Sequence, residues 1–252
     1  MAFEFIKVRE RPAKPRETGL TMVIDKGLGI RAAHDMLDVG GEFVDIVKIG
    51  FGTGRLYRED VLRRKVAAYR DAGIDVMCGG TFLEIAILQD SVEEYLKAAK
   101  ALGMNAVEFS DGTIDIPLDK RRRLLEQISA AGFKLVSEVG KKDPAKDLSP
   151  EETASLIKAD LEAGSWKVLI EARESGKKVG IYDTEGRVRE EKLEAIVGEV
   201  GNIDNLIFEA PLKDQQVFLI KRFGPNVNLG NIQPADVLAV SYTHLTLPTT
   251  ER

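Results

Sequence analysis

The stretch AKALGMNAVEF, residues 99–109, runs from a helical pattern through one glycine into a short apolar strand. Gly103 stands where a helix commonly ends in the left-handed conformation that glycine adopts without strain. The same features recur in YRDAGIDVMC (69–78), ISAAGFKLVSEV (128–139), LEAGSWKVLIE (161–171) and KRFGPNVNLG (221–230). The repeat is about 30 residues long, with two periods before the last copy, and predicts helices alternating with strands.

Strands that alternate with helices at this period have to pair in parallel, with the helices as crossovers. The sequence predicts eight strands, which are LTMVID, VDIVKIG, IDVMCGG, AVEFSDG, KLVSEVG, WKVLIEA, NLIFEAP and NVNLGNI. Eight such units within 252 residues predict an α/β protein with the TIM (β/α)8 barrel fold. A doubly wound open sheet is the alternative, and the absence of a GxGxxG fingerprint after the first strand weighs against it.

Local signals also predict features of individual helices. Ser91 with Glu94, and Ser149 with Glu152, have the spacing of a capping box at a helix start. The basic run at residues 121–123 lies in LDKRRRLLEQI, where helical periodicity predicts a solvated face.

The segment after the eighth strand does not fit a complete barrel. A final helix of about ten or more residues is needed to cover strands eight and one. Residues 241–252 are rich in threonine, contain Pro248 and lack helical periodicity, and they resemble translated adapter read-through. We therefore predict a single catalytic barrel domain over residues 1–240 and a non-native tail over residues 241–252, with the native final helix missing or replaced.

Composition narrows the class of protein. A net charge of −5 without a long basic run argues against a nucleic-acid surface. Cys78 is the single cysteine, which argues against a disulfide framework and favours a reducing cytoplasm. No apolar run reaches the roughly 20 residues that span a bilayer, so no membrane segment is expected. With His34 and His244 as the two histidines, lysine, arginine, tyrosine and carboxylate groups have to carry acid–base chemistry.

Four successive strands place a glutamate near the end where a TIM barrel carries its chemistry. These residues are Glu108, Glu138, Glu171 and Glu209. A single buried carboxylate is equally well explained by a neighbouring lysine, but four at one level favour a bound cation. Because Mg²⁺ prefers oxygen ligands and often takes only one or two protein carboxylates directly, we predict that some of the four bind Mg²⁺.

Cations and glycine-rich turns follow the same strands. Lys141, Lys142 and Arg173 stand just beyond strands five and six, and lysines in such a place can be tuned toward proton donation. The turns GFGTG, CGGT and NLGNI offer backbone N–H groups that close on phosphates. Together they predict a small substrate with several negative charges. The predicted substrate-binding residues are Lys26, Lys48, Ser110, Ser175, Asn228, Gly230 and Asn231.

Eight ordered blocks between about residue 19 and residue 240 carry a family resemblance. The blocks are DKG, KIGFGT, GGTFLEIA, EFSDGTIDI, SEVGKK, IEARESG, IFEAPLKDQQ and NLGNI. The chain resembles the phosphosulfolactate synthase family, whose members add sulfite to phosphoenolpyruvate. The resemblance implies a TIM barrel, Mg²⁺ dependence, a homo-oligomer, and a catalytic lysine and arginine at Lys142 and Arg173. It leaves open a downstream pathway to coenzyme M or to sulfolactate.

On this resemblance, we expect sulfite to attack the methylene carbon of phosphoenolpyruvate, with Mg²⁺ and fixed cations stabilising an enediolate-like intermediate. We expect Lys142 to protonate carbon two, with Lys141 nearby, and Arg173 to hold the phosphate or the carboxylate. Two alternatives remain: a Schiff-base aldolase on the same barrel, and a non-enzymatic stress protein like the plant heat-stress relative of this family.

Overall fold

The computed structural model of the chain describes residues 3, 5–9 and 11–246. The strands are β1 (Thr21–Asp25), β2 (Ile46–Ile49), β3 (Asp75–Cys78), β4 (Ala106–Phe109), β5 (Lys134–Val139), β6 (Lys167–Ile170), β7 (Leu206–Glu209) and β8 (Leu229–Ile232). The helices are α1 (Ile30–Gly40), α2 (Glu59–Asp71), α3 (Gly80–Leu88), α4 (Val92–Ala101), α5 (Leu118–Ala130), α6 (Pro150–Glu162), α7 (Glu190–Val200), α8 (Lys213–Phe223) and α9 (Val237–Thr246). Within the described ranges, no helix combines the length and apolarity needed to cross a bilayer.

The eight strands form one sheet in the order β3-β2-β1-β8-β7-β6-β5-β4, with every ladder parallel. The two end strands, β3 and β4, pack against each other and bring the sheet nearly to closure. The prediction of a TIM barrel is therefore confirmed, and the open doubly wound sheet is excluded.

The glycines that punctuate the repeat end helices as predicted. Gly73, Gly103, Gly132, Gly164 and Gly224 all have positive φ, between 70° and 104°. In this conformation a side chain would be strained, so glycine is the residue that lets each helix turn directly into the next strand.

The two predicted capping boxes have different outcomes. Ser149 and Glu152 form the reciprocal bonds of a capping box at the start of α6. At Ser91 the prediction is wrong, because the side chain makes no cap bond to α4. The short turn from α3 into α4 instead lets the Ser91 hydroxyl donate to the carbonyl of Ala86, at 3.3 Å.

The barrel interior is layered because alternate residues of a strand point to opposite faces of the sheet. The lower layer is apolar and comprises Leu20, Met22, Ile46, Met77, Ala106, Val136, Leu169 and Ile207. In each strand, the next residue that points into the barrel comes two positions later in the sequence. These positions are occupied by Ile24, Lys48, Gly79, Glu108, Glu138, Glu171 and Glu209. The barrel thus changes from an apolar plug to a charged layer within one step of the strand period.

Arg121 contradicts the prediction of a solvated basic face. It shares the buried face of α5 with Leu124, Leu125 and Ile128, and only 3% of its surface is exposed. Its guanidinium donates to Asp160 at 2.8 Å and to the carbonyl of Glu138 at 3.0 Å. Helical periodicity placed this arginine inward, so it ties α5 and α6 to the end of β5.

The prediction that residues 241–246 lack a helix is wrong, because α9 extends to Thr246. Val237, Val240, Ser241 and His244 are buried along one side of α9, which packs against α1 and α8. Burial lowers the pKa of His244 to about 3. Tertiary packing can therefore select a helix where the sequence pattern is weak. Residues 247–252 lie outside the described residues, and the replacement of a native segment stays a prediction.

Replacing Arg121 by leucine is expected to lower the free energy of unfolding by about 3–5 kcal/mol, because Asp160 would be left buried and uncompensated. Arg122→Leu is the control, since Arg122 is an exposed neighbour paired with Glu126 and its loss is expected to cost below about 1 kcal/mol. Urea unfolding of the two variants measures the difference. Equal unfolding midpoints would contradict the structural role of Arg121.

Candidate active site

The charged layer surrounds a small cavity at the carboxyl ends of the strands. Its volume is about 40 Å³. The charged side chains that line it are Lys48, Glu108, Glu138, Lys142, Glu171, Arg173, Glu174 and Glu209. They come from segments far apart in the sequence and meet because the parallel strands end at one rim.

Lys48 lies deepest among the cations and is 5% exposed. Its Nζ is 2.9 Å from Glu209 Oε1 and 3.1 Å from Glu108 Oε2. Burial opposes the charged form, but these two carboxylates outweigh it and raise the pKa of Lys48 above its ordinary value. The ammonium is thus engaged by two glutamates of the cavity.

Lys142 enters the cavity from the loop after β5, and a quarter of its side chain is exposed. Its Nζ is 3.5 Å from Glu138 Oε1 and 3.6 Å from Glu171 Oε2, and it donates to Thr81 Oγ1 at 3.1 Å. Burial opposes its charge, but Glu138 and Glu171 raise the pKa of Lys142 above its ordinary value. We expected the pKa of Lys142 to be lowered toward neutral pH. It is raised instead, because the carboxylates stabilise the charged ammonium form.

Backbone amides anchor one oxygen on each of three glutamates. Gly80 N–H donates to Glu108 at 2.7 Å, Ala172 N–H donates to Glu209 at 3.0 Å, and Arg173 N–H donates to Glu171. The Gly80 amide, in one of the turns predicted to bind phosphate, is therefore engaged by a carboxylate. These bonds fix the orientation of the carboxylates before any ligand binds.

The buried carboxylates carry more negative charge than their neighbours neutralise. Burial raises the pKa of Glu108 to about 7, despite Lys48. Burial, with Glu138 and Glu209, raises the pKa of Glu171 well above its usual value. Burial also works against Glu138, but Lys142 and Lys48 lower its pKa. Two of the four glutamates thus tend to hold a proton, because burial and the neighbouring carboxylates disfavour their charged forms more than the lysines favour them.

Three of these glutamates have the geometry of a cation site. Glu138, Glu171 and Glu209 each offer one oxygen, and the three oxygens lie within 4.8 Å of one another. Glu138 Oε1 and Glu171 Oε2 are buried and accept no hydrogen bond from the described residues. These two oxygens have the Lys142 ammonium at 3.5 and 3.6 Å as their charged neighbour, and a closer cation would satisfy them better. An all-oxygen ligand set suits Mg²⁺. The residues present therefore fit the predicted metal.

The mouth of the cavity is formed by residues with unusual backbone conformations. Phe51, Arg173 and Asn231 have φ of 53°, 59° and 54°, in the left-handed region that non-glycine residues rarely adopt. Such strain is concentrated at functional sites. The Arg173 guanidinium forms no hydrogen bond or ion pair with the part of the chain that the structure describes. Arg173 is thus a cation at the edge of an acidic cavity.

Lys142 and Arg173 are the cations at the edge of the cavity, since their side chains are more exposed than that of Lys48. Lys26 forms an ion pair with Glu174 at this edge, so the predicted substrate-binding Lys26 lies beside the mouth.

Other predicted site residues are engaged elsewhere. The Lys141 ammonium contacts Asp111 Oδ2 at 3.1 Å and the Ile114 carbonyl at 3.1 Å, and it does not line the cavity. The Ser110 hydroxyl donates to Glu84. Ser175 is exposed and also lies outside the cavity lining.

The three residues around β8 that were predicted to bind substrate lie at different levels of the barrel, and one of them lines the cavity. Asn228 precedes the strand and bonds Leu20 N–H and the Leu206 carbonyl, at the opposite end from the cavity. Gly230 makes room for the apolar plug, since a Cβ there would lie 2.8 Å from Met22 Cε. Asn231 lines the cavity with a buried Oδ1 that has no partner among the described residues.

Sequence reasoning assigned no role to Glu84 or Thr81, although both lie in α3 beside the cavity. Glu84 is 1% exposed and accepts hydrogen bonds from Ser110 and Thr113. A glutamate inside the apolar run TFLEIAIL was the signal that could have found it, since buried carboxylates need partners.

A larger cavity of about 430 Å³ lies outside the barrel, beside α2, α3 and α4. Its walls are mainly apolar, with Phe82, Tyr95 and Met104 among them. Burial raises the pKa of Cys78 in its wall to about 12, which keeps that thiol protonated and unreactive. The convergent charges of the barrel mouth make the smaller cavity the better candidate for chemistry.

The chain is similar to several known proteins. The family profile described as (2R)-phospho-3-sulfolactate synthase (ComA) matches residues 9–247. Phosphosulfolactate synthase of Methanothermobacter thermautotrophicus is 44% identical over 95% of this chain and 93% of its own length. Protein HEAT-STRESS-ASSOCIATED 32 of Arabidopsis thaliana is 23% identical over 89% of this chain and 85% of its own.

A solved structure of 3-hexulose-6-phosphate synthase from Salmonella typhimurium has a similar fold, with a TM-score of 0.57. It is 14% identical and the match covers 89% of this chain and 98% of that chain. At this identity the likeness supports the barrel alone.

Replacing Lys48 by methionine is expected to lower the free energy of unfolding by about 3 kcal/mol at pH 8, because Glu108 and Glu209 lose their shared counter-ion. Adding Glu108→Gln to this variant should restore part of the loss by removing one of the two carboxylates. Lys26→Met is the control at the rim, where an exposed ion pair is worth below about 1 kcal/mol. Chemical denaturation of the four proteins measures these values, and a Lys48→Met variant as stable as Lys26→Met would refute the assignment.

Proposed function

The chain belongs to the (2R)-phospho-3-sulfolactate synthase family and is a lyase, and from this we propose that it adds sulfite to phosphoenolpyruvate to give (2R)-phospho-3-sulfolactate. The observation that carries the proposal is the position of Lys142. It lies between a buried cluster of glutamates and an open mouth that holds the exposed Arg173. This arrangement can bind a cation below and a small polyanion above, with a proton donor between them.

Charge balance supports a divalent cation as cofactor. Four buried carboxylates face the two ammonium groups of Lys48 and Lys142, so two negative charges lack a counter-ion when all four are ionised. A divalent cation could take the place of the protons that Glu108 and Glu171 tend to hold. Glu138, Glu171 and Glu209 would hold Mg²⁺, because one oxygen of each lies within 4.8 Å of the other two. When bound, Mg²⁺ would stabilise negative charge on the substrate carboxylate and offset the field of the glutamates at Lys142.

The first step forms the carbon–sulfur bond. The sulfur lone pair of sulfite attacks the methylene carbon, and the π electrons of the double bond move to carbon two and into the carboxylate. Because the substrate gains negative charge, fixed cations stabilise this state more than the ground state. Arg173 can hold the phosphate or the carboxylate through its planar fork, since its donors have no partner among the described residues.

The second step protonates carbon two. Lys142 donates a proton from its ammonium to this carbon and becomes a neutral amine, which solvent then reprotonates. Glu138 and Glu171 keep the ammonium charged beforehand, and Thr81 accepts one of its hydrogens. Since Lys142 approaches from one side of the mouth, it would deliver the proton to one face of the intermediate and give a single enantiomer.

The state of Lys142 also separates this proposal from the Schiff-base aldolase. A Schiff-base lysine has to attack as a neutral amine, whereas two glutamates stabilise the charged form here. The stress-protein alternative is supported only by the more distant Arabidopsis relative, at 23% identity against 44% for the synthase. A cytoplasmic location, a homo-oligomer and the downstream pathway stay predictions.

Replacing Lys142 by alanine is expected to lower turnover by about 10³-fold, within the usual contribution of a general acid, while the protein stays folded. The assay contains sulfite, phosphoenolpyruvate and Mg²⁺, and phosphorus NMR identifies the product. Lys141→Ala is the matched control, because its ammonium lies outside the cavity, and it should retain most activity. Near-normal turnover by Lys142→Ala would rule out Lys142 as the proton donor.

Magnesium is expected to raise the thermal unfolding midpoint of the wild-type protein, because binding to the folded state alone stabilises it. Glu138→Gln should weaken this response by removing one anionic ligand. Glu174→Gln serves as the control, since Glu174 lies at the mouth and is not part of the three-glutamate cluster. Titration calorimetry supplies the affinities. A wild-type protein that shows no heat of binding and no thermal shift with Mg²⁺ would disprove the cation site.

A further inference from the structure

The side chain of Lys142 lies against a glycine in the loop after β4. A Cβ built on Gly112 would be 3.1 Å from Cγ, 3.2 Å from Cε and 3.3 Å from Cδ of Lys142. The three nearest atoms thus all belong to the lysine stem. The backbone of Gly112 lies outside the left-handed region, so an alanine is not opposed by φ at this position. What glycine provides here is space for Lys142.

The loop that carries Gly112 is held in place by the buried Glu84. Thr113 N–H donates to Glu84 Oε2 at 3.2 Å, and the hydroxyls of Thr113 and Ser110 donate to the same carboxylate. The Gly112 carbonyl in turn accepts a hydrogen bond from Lys142 N–H at 3.0 Å. Because the loop is hydrogen-bonded on both sides of Gly112, its backbone is harder to displace than the aliphatic part of the Lys142 side chain. A methyl group at residue 112 would therefore displace the lysine.

The far end of Lys142 has little freedom. Its Nζ is bonded to Thr81 at 3.1 Å and lies 3.5 Å from Glu138 and 3.6 Å from Glu171. A shift of a few tenths of an ångström in the stem changes the distance between the ammonium and any reacting carbon at the mouth. Proton transfer is sensitive to such a change, because donor and acceptor have to be within hydrogen-bond reach.

We infer that Gly112, fixed by Glu84 through Ser110 and Thr113, is a positioning residue that sets where Lys142 delivers its proton. The inference rests on the proposed role of Lys142 in the addition of sulfite to phosphoenolpyruvate. Gly112 does not touch the reacting atoms and acts through the lysine stem. The absence of a side chain at residue 112 is then a requirement of turnover rather than of folding.

The test is a graded series at residue 112, measured as steady-state kinetics in H₂O and D₂O. Gly112→Ala is expected to lower kcat roughly tenfold and to leave KM for phosphoenolpyruvate within about twofold. Its solvent isotope effect on kcat should rise as proton transfer becomes slower, and Gly112→Val should lose more activity than Gly112→Ala. Gly198→Ala is the control, since nothing lies within 4 Å of a Cβ at this position on α7, and its kcat should match the wild type.

Lys142→Ala, assayed beside the series, separates two kinds of failure. An inactive Lys142→Ala with a fully active Gly112→Ala overturns the inference and leaves the proposed function intact. An active Lys142→Ala overturns the assigned role of Lys142, and with it the premise of the inference. A fall in kcat accompanied by a lower urea midpoint and an unchanged isotope effect would also overturn the inference, because Gly112 would then serve folding.

Discussion

Four glutamates buried at one level of a barrel need positive charge beside them, and the rest of the site is arranged around this requirement. Lys48 neutralises part of the charge from below, and Lys142 neutralises another part from the rim. Burial and the neighbouring carboxylates still raise the pKa values of Glu108 and Glu171, so the two lysines do not fully offset the cost of their charged forms. A divalent cation held by the glutamates, as we propose, would complete the balance and would give the carboxylate oxygens that lack hydrogen bonds a partner.

The need to balance the buried glutamates also involves parts of the barrel outside the cavity. The apolar plug below the glutamates excludes water from one side, which strengthens every electrostatic interaction in the cavity. Arg121 bonds the carbonyl of Glu138 from outside the barrel, so a helix contact supports a strand that carries a cavity residue. Glu84 holds the loop against which Lys142 lies. Residues outside the cavity therefore hold in place the groups that line it.

Several features were predictable because they depend on local periodicity. The five glycines that end helices, the eight strands and the four inward glutamates all follow from spacing along the chain. The wrong predictions concern residues whose structure depends on contacts with parts of the chain that lie outside the local sequence pattern. Ser91 bonds the end of the preceding helix, Arg121 has a buried partner on α6, and α9 forms where α1 and α8 offer a surface. No pattern within a short window contains these partners.

The sequence by itself determined the barrel, the level of the glutamates and the family, because strand period, helix caps and ordered motifs are properties of the linear chain. Only the tertiary structure decided that Lys142 faces the cavity while Lys141 does not, and that Asn231 lines it while Asn228 lies at the opposite end. Adjacent or nearby residues in a turn point in different directions. Their roles depend on partners that folding brings from other strands.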